Sequence, residues 1–97
     1  MLEAKVQFFG PVRGVVKKKE QVVVLDDGAT LRGLLEELGR SNGPEFQRYI
    51  VIEGRTLNPV LLVALNGRSV DQIGNLDTPL PQGSVLDVLL AVPIMGG

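Results

Sequence analysis

Close to the end of the chain, Val85-Leu86-Asp87-Val88-Leu89-Leu90-Ala91-Val92 forms a nearly unbroken apolar run. A strand with one wet face alternates with period two, but from Val88 onward this run is apolar on both faces. Strands buried on both faces are central ones. The last strand is therefore predicted to lie inside a sheet, flanked by strands that come earlier in the sequence. Few folds insert their final strand into the middle, so this run limits the architecture more than any other stretch.

The rest of the chain supplies the flanking elements. Residues 4–9 alternate, with Ala4, Val6 and Phe8 on one side and Lys5, Gln7 and Phe9 on the other. Of Phe8 and Phe9, the pattern sends one into the core. Gly10-Pro11 breaks this strand, and residues 12–16 form a loop or a single helical turn. Lys17-Lys18-Lys19 reads as the solvated end of a hairpin. The Val-rich residues 21–25 form its second strand. Asp26-Asp27-Gly28 is a turn. Thr30 then offers a hydroxyl as N-cap to a helix whose Leu31, Leu34, Leu35 and Leu38 recur at i, i+3, i+4 and i+7. Gly39 is expected to end that helix, and Gly33 to let it approach the sheet closely.

A helical turn over 45–49 and a small hairpin over 50–57 follow. Next comes an apolar strand over 60–65, then Asn66-Gly67, the residue pair a type I′ turn demands, and a short return over 68–70. Residues 71–77 read as irregular, with Ile73 and Leu76 tucked beneath. A proline-bounded turn over 78–83 leads into the final strand. One helix between two hairpins, packed on one face of a mixed sheet whose last strand lies beside its first, satisfies the two-layer rule. It describes an α+β, β-grasp (ubiquitin-like) fold: a single domain over residues 1–97, with 93–97 as a protruding tail.

Composition removes several functions. The 97 residues include ten basic and eleven acidic ones, for a net charge of −1, so no basic face for nucleic acid is expected. There is no Cys and no His. That removes a disulfide framework, a thiol nucleophile, the commonest general base and the soft metal ligands, and no metal site is expected. Lack of Cys also fits a cytoplasmic location. Residues 1–4 carry no signal-peptide pattern, and the apolar stretches are far shorter than a membrane span. A substrate, carrier or binding module fits better than an independent enzyme.

What remains is the tail, Val92-Pro93-Ile94-Met95-Gly96-Gly97. Diglycine has no side chains, so it threads a channel closed to other residues and carries a carboxylate to its base. Fully extended, residues 92–97 reach roughly 20 Å. Ordering them costs about 1 kcal/mol or more per residue. Burial of Val92, Ile94 and Met95 along a partner's groove offsets this at about 25 cal/mol per Å².

Four stretches, in order along the chain, resemble the ubiquitin-like sulfur carriers of the MoaD/ThiS family. They are Phe8-Phe9-Gly10-Pro11-Val12-Arg13, the helix 30–38, Val63-Ala64-Leu65-Asn66-Gly67 with Asp77-Thr78-Pro79-Leu80, and the tail. The last turn, Gln82-Gly83-Ser84-Val85, departs from the family's usual Asp-Gly-Asp-Glu, and Val92-Pro93-Ile94 departs from Pro-Pro-Val. Within the family the chain is most similar to the small, non-catalytic sulfur-donating subunit of molybdopterin synthase.

The resemblance implies a carrier cycle. An adenylyltransferase of the MoeB/ThiF type, using ATP and magnesium, joins AMP to the Gly97 carboxylate. A sulfur donor such as a cysteine desulfurase or rhodanese then yields a thiocarboxylate. The tail inserts into a MoaE-type large subunit, where sulfur passes to a pterin, in a complex of two large and two small subunits. No cofactor is held permanently. Gly96 and Gly97 would carry the chemistry, and Phe9, Arg13, Val92, Pro93, Ile94 and Met95 would meet partners. Alternatives are a carrier for thiamin, tRNA thiolation or cysteine synthesis, a modifier joined to lysines by isopeptide bonds, and an interaction module with an inert tail.

Overall fold

The computed structural model describes residues 1–50, 52–53, 56–57, 61–69 and 76–90. Among them, ten elements follow in order: β1 (Leu2–Phe8), α1 (Val12–Val16), β2 (Glu20–Leu25), α2 (Leu31–Asn42), α3 (Pro44–Gln47), β3 (Ile52–Glu53), β4 (Thr56–Leu57), β5 (Leu61–Leu65), β6 (Arg68–Ser69) and β7 (Ser84–Leu90). Five strands make one sheet in the order β2-β1-β7-β5-β6, and β3 pairs with β4 in a separate ribbon.

β7 is central, as expected, but only one of its faces is buried: Leu86 and Val88 are fully buried, whereas Leu89 on the other face is exposed. It runs parallel to β1, with Val6 level with Leu86 and Phe8 with Val88. It runs antiparallel to β5, with Val63 opposite Val88 and Leu65 opposite Leu86. The register gathers alternate residues of each strand on one face. Leu2, Ala4, Val6, Phe8, Val23, Val63, Leu65, Leu86 and Val88 are buried there, in one core with Leu31, Leu34, Leu35 and Leu38 of α2. Phe46 of α3 completes the core and meets the Phe8 ring edge-on at 6.1 Å. Phe8 is thus the core member of the aromatic pair.

Local chemistry fixes the joints. Thr30 accepts a hydrogen bond from the Gly33 amide at 3.2 Å, capping α2. Residues 76–80 are fastened back to that end of the helix. Arg32 donates its amide to the Leu76 carbonyl and its guanidinium to both Asp77 carboxylate oxygens, which raises the Arg32 pKa, chiefly through that hydrogen bond. Leu80 donates to the Ala29 carbonyl at 2.8 Å. Leu76 itself is fully buried. Asn66 and Gly67 both take positive φ, at 50° and 86°, as a type I′ turn requires. The Asn66 side chain also accepts from the Val85 amide at 2.9 Å, tying this turn to β7.

Residues 12–16 take the helical of the two forms expected, a short helix, α1, with buried Val12 and Val16 and its last turn closed by Lys17 in the left-handed region. Two expectations change. α2 runs past Gly39 to Asn42, and Gly43 ends it at φ 88°. Gly39 is buried inside the helix because α3 packs on it. A Cβ there would lie 3.3 Å from Cγ of Gln47 and 3.4 Å from Ile50. Gly33 makes no close approach to the sheet among the described residues, where a Cβ there would meet only the Thr30 hydroxyl, at 3.7 Å. Ile73 and Val70 lie outside the described residues.

Candidate functional site

β7 ends at Leu90, and the chain passes from there into residues 91–97. Val92, Pro93, Ile94, Met95, Gly96 and Gly97 lie outside the described residues. The described part of the site is the sheet around the end of β7.

Neighbouring elements pin that end. β1 continues one residue beyond its last rung, and the Phe9 amide donates to the Val88 carbonyl at 3.0 Å. On the other side Leu62 of β5 stands opposite Leu89. Residues that alternate with the core set point to the opposite face of the sheet. There Leu62 is 49% exposed and Leu89 37%, although both are large aliphatic side chains. The β1–β7 register puts Phe9 level with Leu89, and Phe9 is half-buried. Phe9, Leu89 and Leu62 therefore form an apolar strip across three strands, beside the last residue of β7.

Arg13 borders the strip. α1 starts immediately after the Gly10-Pro11 turn, and Gly10, at φ 59°, turns the chain so that the Arg13 amide reaches the Gly10 carbonyl. The Arg13 Nε donates to the Phe8 carbonyl at 2.8 Å, and its guanidinium carbon lies 5.7 Å from the Phe9 ring centroid. That distance is within cation–π range. Phe9 and Arg13 are thus brought together. On the same open face, Asp87 stands between Gln7 and Ala64, and its buried Oδ1 has no hydrogen-bond partner.

Leu62 and Leu89 were not singled out from the sequence. Each sits in a continuous apolar run, where side-chain parity is invisible until one neighbour is assigned to the core. Once Val63 and Val88 are inward, Leu62 and Leu89 must be outward. Among the described residues no group of three or more His, Cys, Asp or Glu is placed to hold a metal. Nor, among them, is any helix long and apolar enough to cross a membrane.

A mixed sheet of this strand order, with its helix on one face and its last strand beside its first, defines a ubiquitin-like β-grasp domain. The model of the ThiS family matches residues 6–97, and the chain belongs to that family. Among solved structures, the chain is similar to a Pyrococcus furiosus protein provisionally named molybdopterin converting factor, subunit 1. Identity is 28% and TM-score 0.77, covering 95% of this chain and 100% of the other. It is also similar to the Haloferax volcanii protein HVO 2177, at 28% identity and TM-score 0.79, covering 99% and 87%. The small archaeal modifier protein 1 of Methanosarcina acetivorans shares the fold at 22% identity and TM-score 0.76, covering 100% and 98%. No curated protein matches the chain by sequence.

Proposed function

We propose that the chain is a sulfur carrier whose Gly97 carboxylate is activated and converted to a thiocarboxylate, and that it donates this sulfur as the small subunit of a molybdopterin synthase. The family match carries the reading, because it extends through residue 97 and so includes the diglycine. The Pyrococcus neighbour, matched over its whole length, supports the molybdopterin assignment by its name.

The chemistry follows from the groups present. A carboxylate is a poor electrophile. Reaction with ATP joins AMP to it and releases pyrophosphate, leaving an acyl phosphate anhydride with a good leaving group. Hydrosulfide then displaces AMP to give the thiocarboxylate. A protein persulfide does the same in two steps, first forming an acyl disulfide that a second thiol reduces. The chain has no Cys, so sulfur on this protein must ride on the terminus. ATP and magnesium belong to a MoeB/ThiF-type activating enzyme, and the acceptor pterin to a MoaE-type large subunit.

The domain's own part is docking. The strip of Phe9, Leu89 and Leu62 gives an activating enzyme an apolar surface beside the root of the tail. Arg13 at its border and the unsatisfied Asp87 oxygen add polar contacts that fix orientation. Val92, Pro93, Ile94 and Met95 then line the partner's channel, and Gly96 and Gly97 pass its narrowest part.

The test is the intact mass of the protein from its native host, with the C-terminal peptide sequenced. Replacement of one terminal oxygen by sulfur is the expected result. A plain carboxylate after incubation with activating enzyme, ATP and a sulfur donor overturns the carrier reading, and isopeptide conjugates to lysines replace it with a modifier. Deletion of Gly97 is expected to abolish sulfur transfer while leaving cooperative unfolding unchanged.

A further inference from the structure

The outer edge of β2 carries a recognition pattern that the carrier role does not use. The Phe8 amide donates to the Lys19 carbonyl, and the β1–β2 register pairs Val6 with Gln21, Ala4 with Val23 and Leu2 with Leu25. In an antiparallel ladder, residues level with such a bonded pair alternate. Gln21, Val23 and Leu25 therefore direct their backbone groups to β1, while Glu20, Val22 and Val24 direct theirs to the free edge. β2 is an end strand of the sheet, so among the described residues no strand meets that edge.

Natural edge strands are normally blunted by lysine, proline, a bulge or short length. The middle of β2 has none of these. Val22 and Val24 are 56% and 51% exposed and stand on the open face of the sheet. Apart from Glu20, the first residue of β2, which is ion-paired with Lys5 of β1 at 3.2 Å, the charges lie outside the strand. Lys17, Lys18 and Lys19 precede it, and Asp26 and Asp27 follow it.

We propose that β2 pairs antiparallel with β2 of a second copy of this chain, with Val22 on the two-fold axis. In that register the outward backbone groups of Val22 meet those of the partner copy's Val22, and Glu20 and Val24 exchange bonds across the axis. Lys18 then stands opposite the partner copy's Asp26, twice by symmetry. A shift by one bonded step in one direction sets Glu20 against Asp26, and in the other sets Lys18 against Val24. Charge complementarity thus selects both the occupant and the register. A basic head and an acidic end on one strand are self-complementary only when that strand meets its own antiparallel copy. The pairing buries Val22 and Val24 and extends the sheet through the dyad.

A six-residue edge falls short of the roughly 1,200–2,000 Å² that stable complexes bury. The dimer is therefore weak and concentration-dependent, with dissociation in the micromolar-to-millimolar range, and it weakens with salt. β1 separates β2 from β7, so the pairing leaves the Phe9–Leu89–Leu62 strip free and joins two carriers without covering the root of either tail.

Sedimentation of the full chain from micromolar to millimolar concentration tests this, with hydrogen exchange read residue by residue. The expected result is a monomer–dimer equilibrium in which the Val22 and Val24 amides gain protection with concentration and the Val23 amide does not change. Val22→Lys places like charges on the axis and weakens the dimer roughly tenfold or more. The side chain is exposed, so the variant folds. Asp26→Lys alone also weakens the dimer, and Lys18→Asp combined with it restores the affinity. A chain that stays monomeric at millimolar concentration overturns the proposal, and so does a dimer indifferent to Val22→Lys. Failure of the paired charge exchange to restore affinity overturns the register.

Discussion

The two faces of the five-stranded sheet are built from the same strands and differ by one residue of register. On the packed face Val6, Phe8, Leu86 and Val88 are wholly buried beneath α2 and α3. On the other, Phe9, Leu62 and Leu89 alternate with Lys5, Gln7 and Asp87, and no described helix lies over them. A residue on the packed face is judged by the volume it fills. A residue on the open face is judged by what it offers a second molecule. Aliphatic residues on the open face contribute little to folding, so their apolar surface is a reason to look for partners.

The largest expected effect lies on the packed face. Phe8→Ala removes a ring that contacts Phe46 at the junction of β1 and α3, and is expected to cost about 3–5 kcal/mol of stability, read by denaturant or thermal unfolding. A loss below about 1 kcal/mol would mean that the Phe8 side of the core is far looser than its burial indicates. On the open face the readout changes. Leu62→Glu is expected to alter folding by less than about 1 kcal/mol. It should lower the efficiency of adenylation by the activating enzyme roughly tenfold or more, because it puts a charge in the middle of an apolar docking strip. Loss of stability comparable to Phe8→Ala would erase the distinction between the faces. Unchanged adenylation would move the docking surface elsewhere.

Most of this contrast was legible as alternation. Ala4, Val6 and Phe8, the Leu31/34/35/38 stripe and Asn66-Gly67 each carry a period or a turn requirement that local sterics alone impose, and the structure places them accordingly. Two features were not legible. The extension of α2 from Leu38 to Asn42 depends on α3 packing against Gly39, so a residue that looks like a helix stop becomes a contact point. The strip is hidden because 61–65 and 88–90 are apolar at every position, and only pairing decides which half faces out. For the tail the reverse holds. Gly96 and Gly97 are conspicuous in the sequence, where the absence of side chains is itself the signal.

Arg13 touches both sides of the division, since it holds the carbonyl of packed Phe8 and lies against the ring of Phe9. Arg13→Ala is expected to cost about 1 kcal/mol of stability, one charged hydrogen bond and one exposed cation–π contact, partly recovered by water reaching the carbonyl. Its effect on activating-enzyme affinity should be severalfold, smaller than that of Leu62→Glu, because the guanidinium borders the strip. An Arg13→Ala chain that binds as weakly as Leu62→Glu would make the polar border, and not the apolar centre, the main determinant of docking.

The smallest effect separates two glycines of α2, which lie in one helix and line the same cleft of about 560 Å³ beside Gln47 and Ile50. At Gly33 an added Cβ makes ordinary contact with the Thr30 hydroxyl, and the gain is conformational: Gly33→Ala is expected to stabilise the fold by about 0.4–1 kcal/mol. At Gly39 the same propensity gain is opposed by contacts of 3.3 and 3.4 Å to Gln47 and Ile50. Gly39→Ala should therefore gain less than Gly33→Ala, and the difference in melting temperature between the two variants measures how tightly α3 is held on α2. Equal stabilisation would show that Gln47 moves aside without cost. A loss on Gly33→Ala would mean that the helix start needs its glycine for something other than space, since among the described residues the only neighbour within reach is the cap itself.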